Sequence, residues 1–178
     1  TSGTILVLCH RRAMTLNRAI PVYEKLLESH PDNVAVLESF AKDLGRLEMV
    51  ERAAEIYSKL GQLNAAKKRT YYKAAADLHI KNGDLELAEK QIGKMLASGG
   101  NNQFAFKEAS TLYREMGNLE EAVEMMSRAV RLAPDDAKLN VELAKMCSES
   151  GEAERAMKYY RAAVECERNF RKRGKILR

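Results

Sequence analysis

Apolar residues in this chain return every three or four positions, and the rhythm breaks at a regular interval. The stretch from Phe106 to Leu132 is the clearest. Phe106, Ala109, Leu112, Tyr113 and Met116 mark one helical face, and Leu119, Ala122, Val123, Met126, Ala129, Val130 and Leu132 mark a second. Gly117 separates the two, because glycine takes the left-handed conformation of a helix end at little cost. Pro134 stops the second helix, and Asp135 and Asp136 suit the positive N-terminus of another. The pattern predicts a pair of helices.

That pair recurs. Gly83, Gly117 and Gly151 lie 34 residues apart, as do Ala88, Ala122 and Ala156. Earlier in the chain the same columns continue as Ala19 and Ala53, as Tyr23, Tyr57, Ile92, Met126 and Tyr160, and as Leu26, Leu60, Met95, Ala129 and Ala163. One step is 35 rather than 34, which places an extra residue in the turn near Ala65–Lys68. A fixed period of this length means one supersecondary unit stacked on itself. The chain divides into five units, roughly 1–33, 34–68, 69–102, 103–136 and 137–170, followed by a basic tail or capping-helix extension at 171–178. The small alanine column lets helices approach closely, and the Tyr/Met column fills the space between units.

These residues resemble the tetratricopeptide repeat family. The fourth unit carries the likeness in Ala109, Tyr113, Gly117, Ala122, Met126, Ala129 and Pro134. The third repeats it in Ala76, Gly83, Ala88 and Met95, and the fifth in Ala144, Gly151, Ala156, Tyr160 and Ala163. The resemblance implies an all-α, right-handed superhelical solenoid of about five helix-turn-helix repeats. There are departures. Glu48 stands where the second unit should have its turn glycine, with Gly45 three residues earlier. Ser98-Gly99-Gly100-Asn101-Asn102 replaces a proline turn after the third unit, which predicts a looser joint. The first unit matches only in its second half. Its opening run, Thr4-Ile5-Leu6-Val7-Leu8, is β-branched enough for a strand, but the register makes it the first helix of the unit, and helix is the reading adopted.

Composition narrows the class. The chain has 178 residues, 46% hydrophobic and 6% aromatic, without tryptophan, which suits a solenoid packed from small side chains. No run approaches membrane-spanning length, and Thr4–Cys9 lacks a cationic leader or a cleavage site. The start at Thr1 and the absence of well-formed caps at either end suggest excision from a longer protein. Cys9, Cys147 and Cys166 are an odd set without metal-ligand spacing, which argues for a reduced, cytoplasmic setting. Cys147 shares the column of Tyr113 and reads as core. The net charge of +5 comes from the C-terminus. Six of the 30 cations lie between Arg168 and Arg178 with no acid among them, and the remainder nearly balances the 25 acids.

The resemblance implies a concave groove lined by the first helix of each unit, in which a peptide or protein segment binds. The partner-binding residues so implied are Lys42, Arg46, Lys73, Phe104, Lys107, Arg114, Lys138, Val141 and Lys145. The cations would supply polar contacts, and Phe104 and Val141 apolar ones. The competing reading is an ordinary solvated face with intrahelical pairs such as Glu142–Lys145. The carboxylate clamp of Hsp70/Hsp90-binding relatives needs fixed cations and amides. Asp77, Glu108 and Glu142 occupy three of its positions, so that role is rejected. The tail could contact nucleic acid or an anionic membrane, or it could form a capping helix or the start of a further unit. His10, His30 and His79 are scattered, and no nucleophile–base pair, phosphate loop, cofactor motif or metal spacing stands out. The expectation is a non-catalytic interaction scaffold without a cofactor. Self-association through uncapped ends and binding through the tail are the alternatives.

Overall fold

The chain was analysed as a computed structural model that describes the backbone of residues 2–176 and the side chains of residues 16–171. Every described element is helical. In order they are α1 (Ser2–Ser29), α2 (Val34–Arg46), α3 (Val50–Leu63), a single 3-10 turn (Ala65–Lys67), α4 (Lys68–Asn82), α5 (Leu85–Gly99), α6 (Gln103–Glu115), α7 (Leu119–Leu132), α8 (Ala137–Glu149) and α9 (Ala153–Ile176). The extra residue of the longer period falls at the 3-10 turn, where the Asn64 side chain accepts a hydrogen bond from the Lys67 amide.

Four helix pairs share one turn. In each, the residue after the cap donates its amide to a carbonyl five positions back: Met49 to Leu44, Asp84 to His79, Asn118 to Tyr113 and Glu152 to Cys147. This closure needs a left-handed residue at the cap. Gly83, Gly117 and Gly151 supply it at φ of 83°, 83° and 79°. Glu48 supplies it at φ 59°, and it is the only non-glycine with positive φ among the described residues. The departure read in the sequence therefore keeps the family's turn at a steric cost.

The first unit differs from expectation. Ser2–Ser29 is one unbroken helix of 28 residues, so the opening apolar run is helical but no turn divides it into a pair. Met14 occupies the column of Glu48 and the turn glycines, and methionine has no easy access to the left-handed conformation. At the other end α9 continues as helix to Ile176, through the first residues of the segment read as a tail.

The chain falls into two compact halves that part at Ser98 and Gly99, within the glycine-rich joint. In the first half, Phe40, Leu44 and Ala53 form a buried cluster with Ile20, Tyr23, Leu27, Met49, Ile56 and Leu78. Leu37, Leu60 and Tyr71 form a second cluster. Gly61 of α3 lies directly under the Tyr72 ring of α4, and a Cβ there would stand only 2.6 Å from it. In the second half, Ala122, Val123, Met126, Ala129 and Val130 of α7 pack with Leu139, Leu143, Met146 and Cys147 of α8 and Ala156 of α9. The alanine column is closed, with Ala53, Ala88 and Ala122 fully buried. Asn140 also lies inside, where its amide donates to the Pro134 and Asp136 carbonyls at 2.9 Å each. It ties the turn before α8 to the helix itself, so a buried polar group is satisfied rather than orphaned.

Candidate functional site

The candidate residues lie on the first helices of the pairs, and in each half they form a charged row. On α2, Arg46 pairs with Asp43 at 3.0 Å, and Asp43 also accepts from the Tyr23 hydroxyl of α1 at 2.8 Å. Lys42 is exposed. On α4, Lys73 binds Asp77 one turn along at 3.0 Å. Glu38 of α2 takes two donors, the Lys67 ammonium at 2.9 Å and the Tyr71 hydroxyl. The Tyr71 hydrogen bond, with Lys67 beside it, holds the Glu38 carboxyl below the usual range. Burial, and then the same hydrogen bond to Glu38, pushes Tyr71 up to about 12.

In the second half the row bridges two helices. Lys107 of α6 reaches Glu142 of α8 at 2.7 Å, and Arg114 reaches Glu149 at 3.3 Å. Both partners sit seven residues apart on their own helix. Glu142 thus pairs across helices and not with Lys145. The acids at the clamp positions Asp77 and Glu142 are already bound to Lys73 and Lys107. Phe104 is 60% exposed at the start of α6.

Lys138, Val141 and Lys145 come together differently. They line one wall of a groove of about 850 Å3 between α8 and α9, with Ala163, Val164, Arg168 and Arg171 on the other wall. Neither Lys138 nor Lys145 has an ion pair among the described residues. The α9 wall was not singled out from sequence. Val164 is not named there, and Arg168 and Arg171 enter only as part of the C-terminal run of cations. His79, 34 residues before Tyr113 in the column of Cys147, is buried, and no cluster of metal-ligating side chains occurs among the described residues. Cys147 is buried, and burial pushes its thiol up. The side chains of Cys9, His10 and residues 172–178 lie outside the described residues.

No helix among the described residues is long and apolar enough to cross a membrane. A family model described as tetratricopeptide repeat matches residues 113–177. The mitochondrial import receptor subunit TOM70 of Mus musculus is 25% identical over 158 residues, covering 84% of this chain and 26% of the receptor, and TOM70 of Homo sapiens matches to the same extent. The chain therefore spans about a quarter of the length of these curated relatives. Among solved structures, MamA superposes with a TM-score of 0.62 at 20% identity, over 88% of this chain and 91% of MamA. YrrB, described as a TPR protein with an unusual peptide-binding site, gives 0.53 at 22% identity, over 81% of this chain and 74% of YrrB. These structures share the fold. The tetratricopeptide repeat model thus matches residues 113–177, and the fold of the described residues is that of the tetratricopeptide repeat solenoids.

Proposed function

We propose that this chain is a non-catalytic protein-interaction scaffold that holds a peptide or protein segment against the first helices of its repeats. The observation that carries the reading is the open wall at Lys138, Val141 and Lys145. Cations free of ion pairs flank an apolar residue there, over a groove large enough for a ligand. Lys42, Arg46, Lys73, Phe104, Lys107 and Arg114 extend the surface within their own halves. Those already in ion pairs are exposed or half-exposed, so their pairing with Asp43, Asp77, Glu142 and Glu149 is weak enough to be exchanged for a partner's carboxylate. A cytoplasmic setting belongs to the same proposal and rests on the cysteine pattern alone.

Affinity capture from source lysate tests it. The intact chain is compared with Lys73→Glu/Lys107→Glu, with Lys138→Glu/Lys145→Glu, and with Lys90→Glu on a second helix. Proteins retained by the chain and by Lys90→Glu, but lost from a first-helix variant, support the scaffold. An identical set from all four sinks it.

A further inference from the structure

The chain builds one groove twice, on the second helices of its pairs. In the second half, Glu120, Glu124 and Glu152 line a groove of about 590 Å3 between α7 and α9. In the first half, Glu51, Glu55 and Asp84 line a groove of about 450 Å3 between α3 and α5. The repeat columns make these acids counterparts, two units apart. What differs is how they are neutralised. Glu124 is bound by Arg128 at 3.0 Å and by Arg131 at 3.4 Å, and Glu152 is bound by Arg155. The equivalent positions in the first half hold Lys59, Gln62 and Leu87. Lys59 turns away to the Pro31 carbonyl at 2.6 Å and to Asp32 at 3.0 Å. Glu51 and Glu55 have no ion pair among the described residues. Asp84 accepts from the Asn82 amide at 2.6 Å and lies 3.8 Å from Nδ1 of His79. The His79 ring also lines the groove and is 6% exposed, and its Nδ1 is buried without a hydrogen-bond partner. Buried polar groups are normally paired, so this acidic groove is not completed from within the chain. Nor is it a seat for the next helix of the stack, because α3 already packs with α2 and α4.

We infer that the α3/α5 groove binds an arginine-bearing segment of a partner protein. Its guanidiniums meet Glu55 and Asp84 as Arg131 and Arg155 meet Glu124 and Glu152 two repeats on. Arginine suits the place because its planar fork matches a carboxylate, and Leu87, 46% exposed, covers its methylene stem. The chain's own basic run is placed otherwise. It lies in the other half, where Arg168 is held by Glu165 at 2.9 Å and the backbone stays helical to Ile176. The surface belongs to second helices and so goes beyond the first-helix scaffold.

The probe is a fluorescein-labelled Gly-Arg-Gly-Arg-Gly-Arg peptide, titrated by anisotropy into the full chain in about 0.15 M salt. Saturable binding is expected, weakened roughly fivefold or more by Glu55→Gln/Asp84→Asn. Gln62→Arg/Leu87→Arg, at two exposed positions, supplies the guanidiniums from within and abolishes binding. Glu124→Gln/Glu152→Gln, in the groove already filled, leaves it unchanged, and the lysine version of the peptide binds more weakly. Helical circular dichroism checks that each variant is folded. Absence of saturable binding, equal binding of the lysine peptide, or indifference to both α3/α5 variants overturns the inference. So does an equal loss in Glu124→Gln/Glu152→Gln. A dimer of the chain that Glu55→Gln/Asp84→Asn dissociates also overturns it. The same holds for peptide binding seen only in Arg171→Gln/Lys172→Gln/Arg173→Gln/Lys175→Gln, because the occupant is then the chain's own basic run.

Discussion

Val130 and Val164 occupy the same place in successive repeats, 34 residues apart, yet one is 7% exposed and the other 68%. The difference lies in what covers them. Val130 shares a buried cluster with Leu139, Leu143 and Met146 of the following helix, while Val164 faces an open groove. Identical chemistry therefore has different energetic weight. Val130→Ala removes buried apolar surface and should cost about 1.5 kcal/mol, whereas Val164→Ala should stay within about 0.5 kcal/mol. Urea midpoints of the two variants check this, and equal losses would mean that Val164 is covered in solution.

Glu48 holds a backbone conformation that its neighbours in the column assign to glycine. A side chain there meets the following carbonyl, at roughly 1–2 kcal/mol for a left-handed residue. Glu48→Gly should stabilise the chain by up to about 1 kcal/mol, since glycine's greater freedom when unfolded offsets part of the relief. Its side chain is exposed, so little packing is lost. A midpoint that falls in Glu48→Gly would show that Glu48 makes a compensating contact.

Gly61 marks the closest approach of α3 to α4, beneath the Tyr72 ring. Tyr72 is itself only 4% exposed and has little room to move. Gly61→Ala should destabilise by about 1–3 kcal/mol despite alanine's higher helix propensity, because overpacking outweighs it. Pairing it with Tyr72→Ala, which removes the obstacle, should leave Gly61→Ala neutral or favourable in a double-mutant cycle.

Glu38 and Tyr71 couple stability to pH at both ends of the scale. Glu38 titrates below the usual range when folded, so its contribution is complete above that range and is lost as pH falls through the depressed value. Tyr71 is raised to about 12 when folded, against about 10 when unfolded. Its contribution is complete below about pH 10 and is lost as pH rises through about 12. Tyr71→Phe should cost about 1–2 kcal/mol near neutrality and flatten the loss of stability in that alkaline window. Thermal melts from about pH 2 to about pH 12 read out both limbs.

Much of the architecture was legible because it is written in columns. Gly83, Gly117 and Gly151 do one backbone job at one spacing, and the buried Ala53, Ala88 and Ala122 do one packing job. The first unit was harder to read. Its register continues back to Ala19, but Met14 does not make the turn, and the helix runs on. Side-chain pairing was least legible. Glu142 has Lys145 three residues away in sequence and Lys107 thirty-five away, and it binds the distant one. The groove was hidden for a related reason. Val164 has the character of a core residue, and nothing in its own neighbourhood tells whether a further helix covers it.

Site-specific photo-crosslinking tests the central claim most directly. A photoreactive phenylalanine analogue is placed at Val141 or Thr111 on first helices, and at Glu121 or Lys158 on second helices, and the full chain is irradiated in source lysate. The account predicts adducts to a protein other than this chain from Val141 and Thr111, and not from Glu121 or Lys158. Adducts confined to the second-helix positions, or only to further copies of the chain, would contradict it.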